Sequence, residues 1–520
     1  MNGAQALVRA AADARVEVCF ANPGTTELDL VTALDGEPRI RPVLSLFEGV
    51  ATGAADGYTR MAGRPALALV HLGPGFANGA ACLHNARRSA SPVVTLVGDH
   101  ATWHRPYDPP LASDIAGLAK PVSVWVRESR TAAALPGDLG DALVAATGTP
   151  GPVTLVVPAD VQAEQVDAYG SPAAPQSARG TVSDGEIREA AKALEGAGRV
   201  TLLLGGDATT AEGLRAAALI AEATGCRLML EKFPTRVERG GGLPAVDKLG
   251  YFPEVAAGSL PSDGAVVLVG AREPVAFFGY PGLPSSEIPQ GCSVTTLARP
   301  DEAAADALRR LAERVAESGD ATSGGALSNF PPPTGEAPRG PLTAQTFGPA
   351  VASVQPEGAI VVDEGITSTR EYLTRSHGAP PHTYLANAGG AIGHGMPLAT
   401  GAAVAAPDRP VLALQADGSG MYTLQALWTQ AREGLDVTTV VCANRSYRIL
   451  QAEMQRAGTA PGPAAGTLTD LGSPVLDWCS LAAGMGVPAR QVTSGEQLAS
   501  ALREAVSEPG PHVVEALLEG

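Results

Sequence analysis

Short apolar runs alternate with stretches whose apolar positions repeat at helical spacing, from one end of the chain to the other. In residues 1–163 the runs are 16–20, 66–72, 93–98 and 153–157, and helical patterns fall at 49–62 and 78–89. A strand-length run followed by a helical pattern, several times over, predicts a parallel sheet with crossover helices. The pattern returns in 183–316, with helices predicted over 184–196 and 211–224 and strands over 200–205, 227–230 and 264–270. It returns again in 342–520, which closes on the strand-like run 510–517. Between the blocks lie 164–179, rich in Pro, Ser, Ala and Gln, and 317–341, with the composition of an extended tether. At about 150 residues per domain, a chain of 520 suits three. The expected architecture is α/β, with three doubly wound parallel-sheet domains at 1–163, 183–316 and 342–520.

Composition narrows the partners. Aromatic residues make up 4%, so the cores must be built from Ala, Val and Leu. A net charge of −17 argues against nucleic acid and anionic membrane as partners. The cysteines (19, 82, 226, 292, 442 and 479) are far apart and form no C-x-x-C pair. They read as small buried hydrophobes of a reducing compartment, not as a disulfide frame or zinc site. The first twenty residues form an amphipathic helix running into a strand, without the cationic and apolar regions of a signal peptide. No apolar run approaches the ~18 residues needed to span a bilayer. A cytoplasmic protein is expected.

Candidate chemistry concentrates in Leu414-Gln-Ala-Asp-Gly-Ser-Gly-Met-Tyr422 and Val440-Val-Cys-Ala-Asn444-Arg-Ser-Tyr447. The apolar run 410–414 stops at Asp417 among small residues, and the run 437–442 stops at Asn444. In a parallel sheet two such strand ends share the carboxyl edge, where ligands bind. Asp417 and Asn444 would then present two hard oxygens to one point, while Gly418, Ser419 and Gly420 let a phosphate approach the backbone. Two oxygen ligands with phosphate oxygens and water suit Mg²⁺, which rarely has an all-protein cage. The stretch reads as a diphosphate site.

A second constellation lies near the start. Glu48 follows the apolar run 43–47 and opens a helix of small residues able to pack closely. Taken alone it reads as a helix-start cap or dipole partner. In an apolar cleft the same carboxyl can hold a proton against a heteroaromatic nitrogen. His71 lies at the end of the run 66–72, one residue before Leu72, and Gly73-Pro74-Gly75 reads as a turn before a helix beginning near Asn78.

Together these motifs carry a resemblance. EGVATGAADGYTRMAGRP, HLGPGFANG, TSTR, NAGGAIGHGMP and the Asp417–Asn444 motif occur in the order of thiamine-diphosphate (ThDP) enzymes of the acetolactate synthase, benzoylformate decarboxylase and benzaldehyde lyase group. The similarity covers nearly the whole chain. It includes the 27-residue spacing from Asp417 to Asn444 and departs at Ala416, where the family usually has glycine. The resemblance implies that Asp417, Asn444 and the carbonyl of Ser446 hold Mg²⁺ (or Ca²⁺) on the diphosphate. Gly418 and Ser419 would offer amides, and Thr367 and Ser368 would line that side. Glu48 would bond N1′ of the aminopyrimidine, Gly390 would accept from its 4′-amino group, and Ile392 would bend the cofactor. It also implies a homodimer that shares its active sites, often a homotetramer, with Glu48 from one chain and the metal motif from the other.

The implied substrate is a 2-oxo acid (or an acyloin that is cleaved), with an aldehyde or second 2-oxo acid as acceptor. His71 stands where the benzoylformate decarboxylase type carries an active-site His, and Thr25 where it carries a substrate-binding Ser. The second His of that type has no match, because 274–282 carries Phe277, Phe278 and Tyr280, which read equally as core. Losing a proton donor favours carboligation, with simple decarboxylation the second reading and a non-catalytic ThDP-fold subunit the third. His100 and His104 are candidates for the mouth of the site or for a polar loop near the dimer contact. FAD, which some relatives hold in the middle domain, is not expected, since Leu202-Leu-Leu-Gly-Gly-Asp207 is too weak a signature.

Overall fold

The computed structural model describes all residues except 168, 169, 171–178, 197, 318–333 and 520. The expected linkers 164–179 and 317–341 therefore fall largely outside the described residues.

Six strands of the first block, β1 (Val18–Asn22), β2 (Arg41–Leu44), β3 (Ala66–His71), β4 (Val93–Asp99), β5 (Trp125–Glu128) and β6 (Val153–Pro158), form one sheet in the order β2-β1-β3-β4-β6-β5. All neighbours are parallel. Every residue of β4 and β6 is buried. Helices cover both faces, which is why these strands read as continuous apolar runs and not as alternating ones.

The middle block supplies β7 (Val200–Leu204), β8 (Arg227–Leu230), β9 (Arg236–Arg239), β10 (Asp247–Lys248), β11 (Ala265–Val269) and β12 (Ser293–Ala298). Five of them form a parallel sheet, β10-β8-β7-β11-β12. β9 leaves it. It joins β13 (Ile360–Glu364), β14 (His382–Ala386), β15 (Val411–Ala416), β16 (Val437–Ala443), β17 (Ala489–Val492) and β18 (His512–Leu517) in the third sheet, β17-β18-β16-β15-β13-β14-β9. There it pairs antiparallel with β14, Val237 opposite Tyr384. An antiparallel edge strand is a common addition to a parallel sheet. Arg236 and Glu238 pair at 2.9 Å, while Val237 is buried.

The first and third sheets meet through helices Glu48–Ala62 and Gly395–Ala405. A Cβ on Gly57 would stand 2.1 Å from the carbonyl oxygen of Leu398, and one on Gly401 1.8 Å from that of Ala54. The small residues of 48–62 thus bring two backbones into contact, as the sequence suggests. Asp56 is buried in this seam. Arg60 Nη2 donates to it at 2.7 Å, and His394 Nε2 lies 3.0 Å away. Burial opposes the Asp56 charge, but Arg60 and His394 outweigh it and hold the carboxyl well below its usual range.

Among the described residues no helix is long and apolar enough to cross a membrane. The architecture is three parallel-sheet α/β layers systems, with one strand passed from the middle block to the last.

Candidate active site

The first sheet reverses its direction of growth between β1 and β3, and the third between β13 and β15. At such a switch the crossovers leave on opposite faces, and a crevice opens beyond the carboxyl ends of the strands. The candidate residues divide between these two edges.

At the first edge, Thr25 is exposed in the short turn Thr25–Glu27 that follows β1. Glu27 in the same turn is fully buried. Its Oε2 accepts from the Gly24 amide at 2.8 Å and lies 2.8 Å from Nδ1 of His71 at the end of β3. Thr26 Oγ1, not that of Thr25, reaches this pair, 2.7 Å from Glu27 Oε1 and 3.3 Å from His71 Nδ1. A carboxylate on Nδ1 holds an N–H there and leaves Nε2 to exchange protons. Glycines make the room: a Cβ on Gly24 would fall 2.3 Å from His71 Nδ1, and one on Gly98 1.9 Å from Glu27 Oε1. The sequence reading gives Glu27 no role. Its only local signal was an acid just past a strand end.

Glu48 begins its helix only 7% exposed, and its Oε2 accepts from Nδ2 of Asn78 at 3.0 Å. Gly73-Pro74-Gly75 is not the turn expected from sequence. The helix is Leu72–Arg88, starting directly after β3 with Leu72 at φ 55°. A proline is tolerated in a first helical turn, where its missing N–H has no helical partner. Gly75 is needed there, because its Cβ would lie 2.7 Å from Glu48 Oε1 and 3.4 Å from the Cβ of His71. Glu48 and His71 therefore flank one glycine. The His100 and His104 rings, 5.8 Å apart, lie just beyond the end of β4 on the same edge.

At the third-sheet edge, β15 and β16 are parallel neighbours with Ala416 opposite Cys442, so Asp417 and Asn444 emerge side by side. The buried Asp417 accepts from the Gly418 amide at 2.9 Å and the Arg445 amide at 2.7 Å, with Arg445 at φ 55°. Asn444 Oδ1 accepts from the Ser446 amide at 3.0 Å, and Ser446 Oγ is buried without a partner among the described residues. Burial lifts the Asp417 carboxyl above its ordinary value, against the two amides and the charge of Arg445. A desolvated acid with oxygen-rich neighbours fits a divalent cation, which would supply the missing positive charge.

The remaining third-sheet candidates lie on segments that follow neighbouring strands of the same sheet. Thr367 and the buried Ser368 lie in the turn after β13, the strand next to β15. The Ser419 hydroxyl accepts from Gln415 Nε2 at 2.6 Å, so it turns inward. Gly390 adopts φ 81° beyond β14, with Ile392 half-buried two residues on. Asn85 of the first block, unassigned from sequence, clamps this turn by donating to the Ala391 carbonyl at 2.8 Å and accepting its amide at 3.1 Å. The expectation that Phe277 and Phe278 could be core fails: they are 36% and 53% exposed. The Phe277 ring stands over Gly390, where a Cβ would lie 2.6 Å from its Cζ.

The middle sheet reverses between β7 and β11, where Gly205 and Gly270 meet backbone to backbone: a Cβ on Gly270 would lie 2.5 Å from the Gly205 carbonyl oxygen. A cavity of about 930 Å³ opens nearby, with Arg60, Arg88, Glu231, Lys232, Arg236 and Arg272 on its walls. Burial pushes Glu231 up to about 7, with Arg272 opposing the shift.

Switch points in separate, mainly parallel sheets, with the candidate residues at their carboxyl edges, define an α/β fold of the doubly wound, ligand-binding class. The chain belongs to the thiamine pyrophosphate enzyme family. Residues 1–117 match the N-terminal TPP binding domain of that family and residues 366–516 its C-terminal TPP binding domain. The chain is 51% identical to a Mycobacterium tuberculosis protein described as "Putative acetolactate synthase large subunit IlvX", covering 100% of this chain and 99% of that protein. It is 30% identical to a benzoylformate decarboxylase of Pseudomonas aeruginosa, covering 95% of each. Its fold matches the ThDP-dependent 4-hydroxybenzoylformate decarboxylase of Rhodococcus jostii RHA1 with a TM-score of 0.86, at 23% identity over 100% of this chain and 99% of that one. The protein is a ThDP-dependent enzyme of the acetolactate synthase and benzoylformate decarboxylase family.

Proposed function

We propose that the enzyme uses ThDP with Mg²⁺ to release CO₂ from a 2-oxo acid and join the remaining acyl unit to an aldehyde or second 2-oxo acid. Asp417, Asn444 and the Ser446 carbonyl would hold Mg²⁺ on the diphosphate. The amides of Gly418 and Ser419 would bind its oxygens, with Thr367 and Ser368 beside them. Glu48 would hold a proton at the aminopyrimidine ring while Asn78 steadies its second oxygen. The Gly390 carbonyl would accept from the amino group, and Ile392 would set the bend. When bound, ThDP supplies the carbon nucleophile that attacks the 2-oxo carbonyl. The Thr25 hydroxyl would bind the substrate carboxylate. His71 would exchange a proton at Nε2 with the substrate oxygen, and Glu27 would stabilise the imidazolium.

The observation that carries ligation is Phe277 over Gly390, a phenyl ring in the loop where the decarboxylase type brings a second imidazole. Without that donor, protonation of the acyl unit is slow and a second carbonyl can capture it. Simple decarboxylation is the second reading, favoured by the Glu27–His71 pair, itself a proton donor. Incubation with ThDP, Mg²⁺ and a panel of 2-oxo acids, with and without aldehydes, decides between them. Product masses equal to acyl plus acceptor support ligation, and free aldehyde alone defeats it.

The active form in this reading is a homodimer, or a homotetramer built from it, with Glu48 facing the partner's metal motif. Exposed Leu46 and Trp103 at one edge and Tyr422 and Leu468 at the other are the apolar surface such a pairing would cover. A reducing, cytoplasmic setting fits six unpaired cysteines. No flavin enters the reaction, and a yellow protein on purification would contradict this.

A further inference from the structure

Lys232, at the end of β8, is nearly buried and forms an ion pair with the equally buried Glu287. Its ammonium also donates to the carbonyls of Tyr251 at 3.2 Å and Val275 at 3.4 Å. Residues 274–287 close on themselves through Ala276 N to Ser285 O at 2.8 Å and Glu287 N to Pro274 O at 3.0 Å. One buried cation thus pins both feet of a loop whose tip carries Phe277, Phe278 and Tyr280.

The tip is built of rings. Phe277 packs edge-on against Phe278 at 4.7 Å and Phe233 at 5.4 Å, and lies tilted 5.5 Å from Tyr251. Its far side is the Gly390 contact. The loop is also tied to the third sheet. The Tyr280 hydroxyl donates to Glu453 at 2.9 Å, and Arg456 stacks over Tyr280 at 4.0 Å and Phe252 at 5.2 Å. Arg456 closes the clasp with two bonds to Glu254, at 2.9 and 2.8 Å. Both Glu453 and Arg456 lie on helix Arg448–Arg456, which leaves directly from the Asn444–Ser446 end of the metal motif.

We infer that Phe277 and Phe278 set selectivity for the substituent of the 2-oxo acid, taking an aryl or bulky apolar group, and that the Arg456 clasp positions them. The inference rests on the reaction proposed for this site. Two exposed phenyl rings on a pinned loop cost solvation unless something apolar covers them. Their position beside Gly390 puts the missing cover where a substrate's side chain would extend. Edge-to-face packing favours a flat aromatic group over a methyl. Pocket contacts of this kind discriminate about 10- to 200-fold per group.

The test compares kcat/KM for benzoylformate and pyruvate in the holoenzyme and in Phe277→Ala, Phe278→Ala and Arg456→Ala. Wild type should favour the phenyl acid by about tenfold or more. Each Phe variant should shrink that ratio by about tenfold through KM for the phenyl acid, because the phenyl acid loses more than the methyl acid does. Arg456→Ala should lower the same ratio without changing the Mg²⁺ requirement. Calorimetric affinity of benzoylformate for holo Glu48→Gln, with and without Phe277→Ala, reads the pocket apart from turnover. A ratio and an affinity both indifferent to Phe277 overturn the inference. So does a Phe277→Ala whose only effect is to dissociate the oligomer, which would assign the rings to a subunit contact. If no 2-oxo acid turns over while benzoylformate binding still depends on Phe277, the proposed reaction fails and the pocket stands.

Discussion

Oε2 of Glu27, in the turn after β1, and Nδ1 of His71, the last residue of the neighbouring strand β3, lie 2.8 Å apart at the switch point of the first sheet. The carboxylate is fully buried and the imidazole is partly open to the cleft. In the proposed reaction this pair is a positioned proton donor, with the acid fixing the tautomer and supporting the charge. His71→Ala should lower kcat by about 10²- to 10⁴-fold, the usual range for loss of a general acid–base. Glu27→Gln keeps the hydrogen bond but not the charge and should fall between that variant and wild type. Steady-state rates, with ThDP affinity unchanged in both variants, check the assignment.

Glu48 lies on the first sheet's edge and Asp417 on the third's, so a shared site has a consequence for mixtures. Glu48→Gln and Asp417→Asn should each be inactive alone. Refolded or exchanged together, they should recover about a quarter of wild-type activity, since half the dimers then carry one intact site. No recovery, in mixtures shown to contain hybrid dimers, would mean each chain completes its own site.

Asp417 is desolvated, and among the described residues its oxygens accept from backbone amides. Chelation should abolish activity and Mg²⁺ should restore it. Asn444→Ala should raise the Mg²⁺ concentration for half-activity by about 10- to 100-fold. In a thermal melt, ThDP and Mg²⁺ at about 100 times their Kd should stabilise wild type by about 2.7 kcal/mol, and Asn444→Ala by much less.

The contact of Gly401 with Ala54 leaves no space for a methyl. Gly401→Ala should destabilise by about 1–3 kcal/mol or more, because the obstacle is backbone and cannot rotate away. Gly63→Ala is no neutral control, since that residue sits at φ 68°. Gly258→Ala is one, with nothing near its Cβ. Urea unfolding of the two variants separates the seam from a general glycine effect.

Glu231 has its carboxyl raised to about 7 by burial, from an ordinary value of 4.5. The folded state therefore binds the proton more tightly than the unfolded chain, and stability falls as pH rises through the window from 4.5 to 7. Glu231→Gln should remove that slope, leaving it more stable than wild type at pH 8 by about 1–3 kcal/mol while equal at acid pH. Unfolding titrations at a series of pH values measure the difference.

Much of this enzyme was legible in one dimension. Strand-length apolar runs placed β4, β6, β7, β11, β15 and β16 to within a residue or two, because a strand buried on both faces has a local signature. Asp417 and Asn444 could be paired before any coordinates, since consecutive parallel strands end at one edge. Gly73-Pro74-Gly75 misled, because glycine and proline mark turns by local preference, and only the packing of Glu48 and His71 against Gly75 shows why they open a helix.

What the chain's sequence determined, then, is the alternation of strands and helices, the adjacent strand ends that carry Asp417 and Asn444, and the family. What the tertiary structure decided is which distant residues touch: Glu27 with His71, Asn85 with Ala391, Asp56 with His394, Phe277 with Gly390, and β9 with β14. Periodicity and turn chemistry are written in neighbours along the chain. Each of these contacts instead depends on which sheet edge or helix seam buries a group best, a comparison made across hundreds of residues and visible only once the layers have packed.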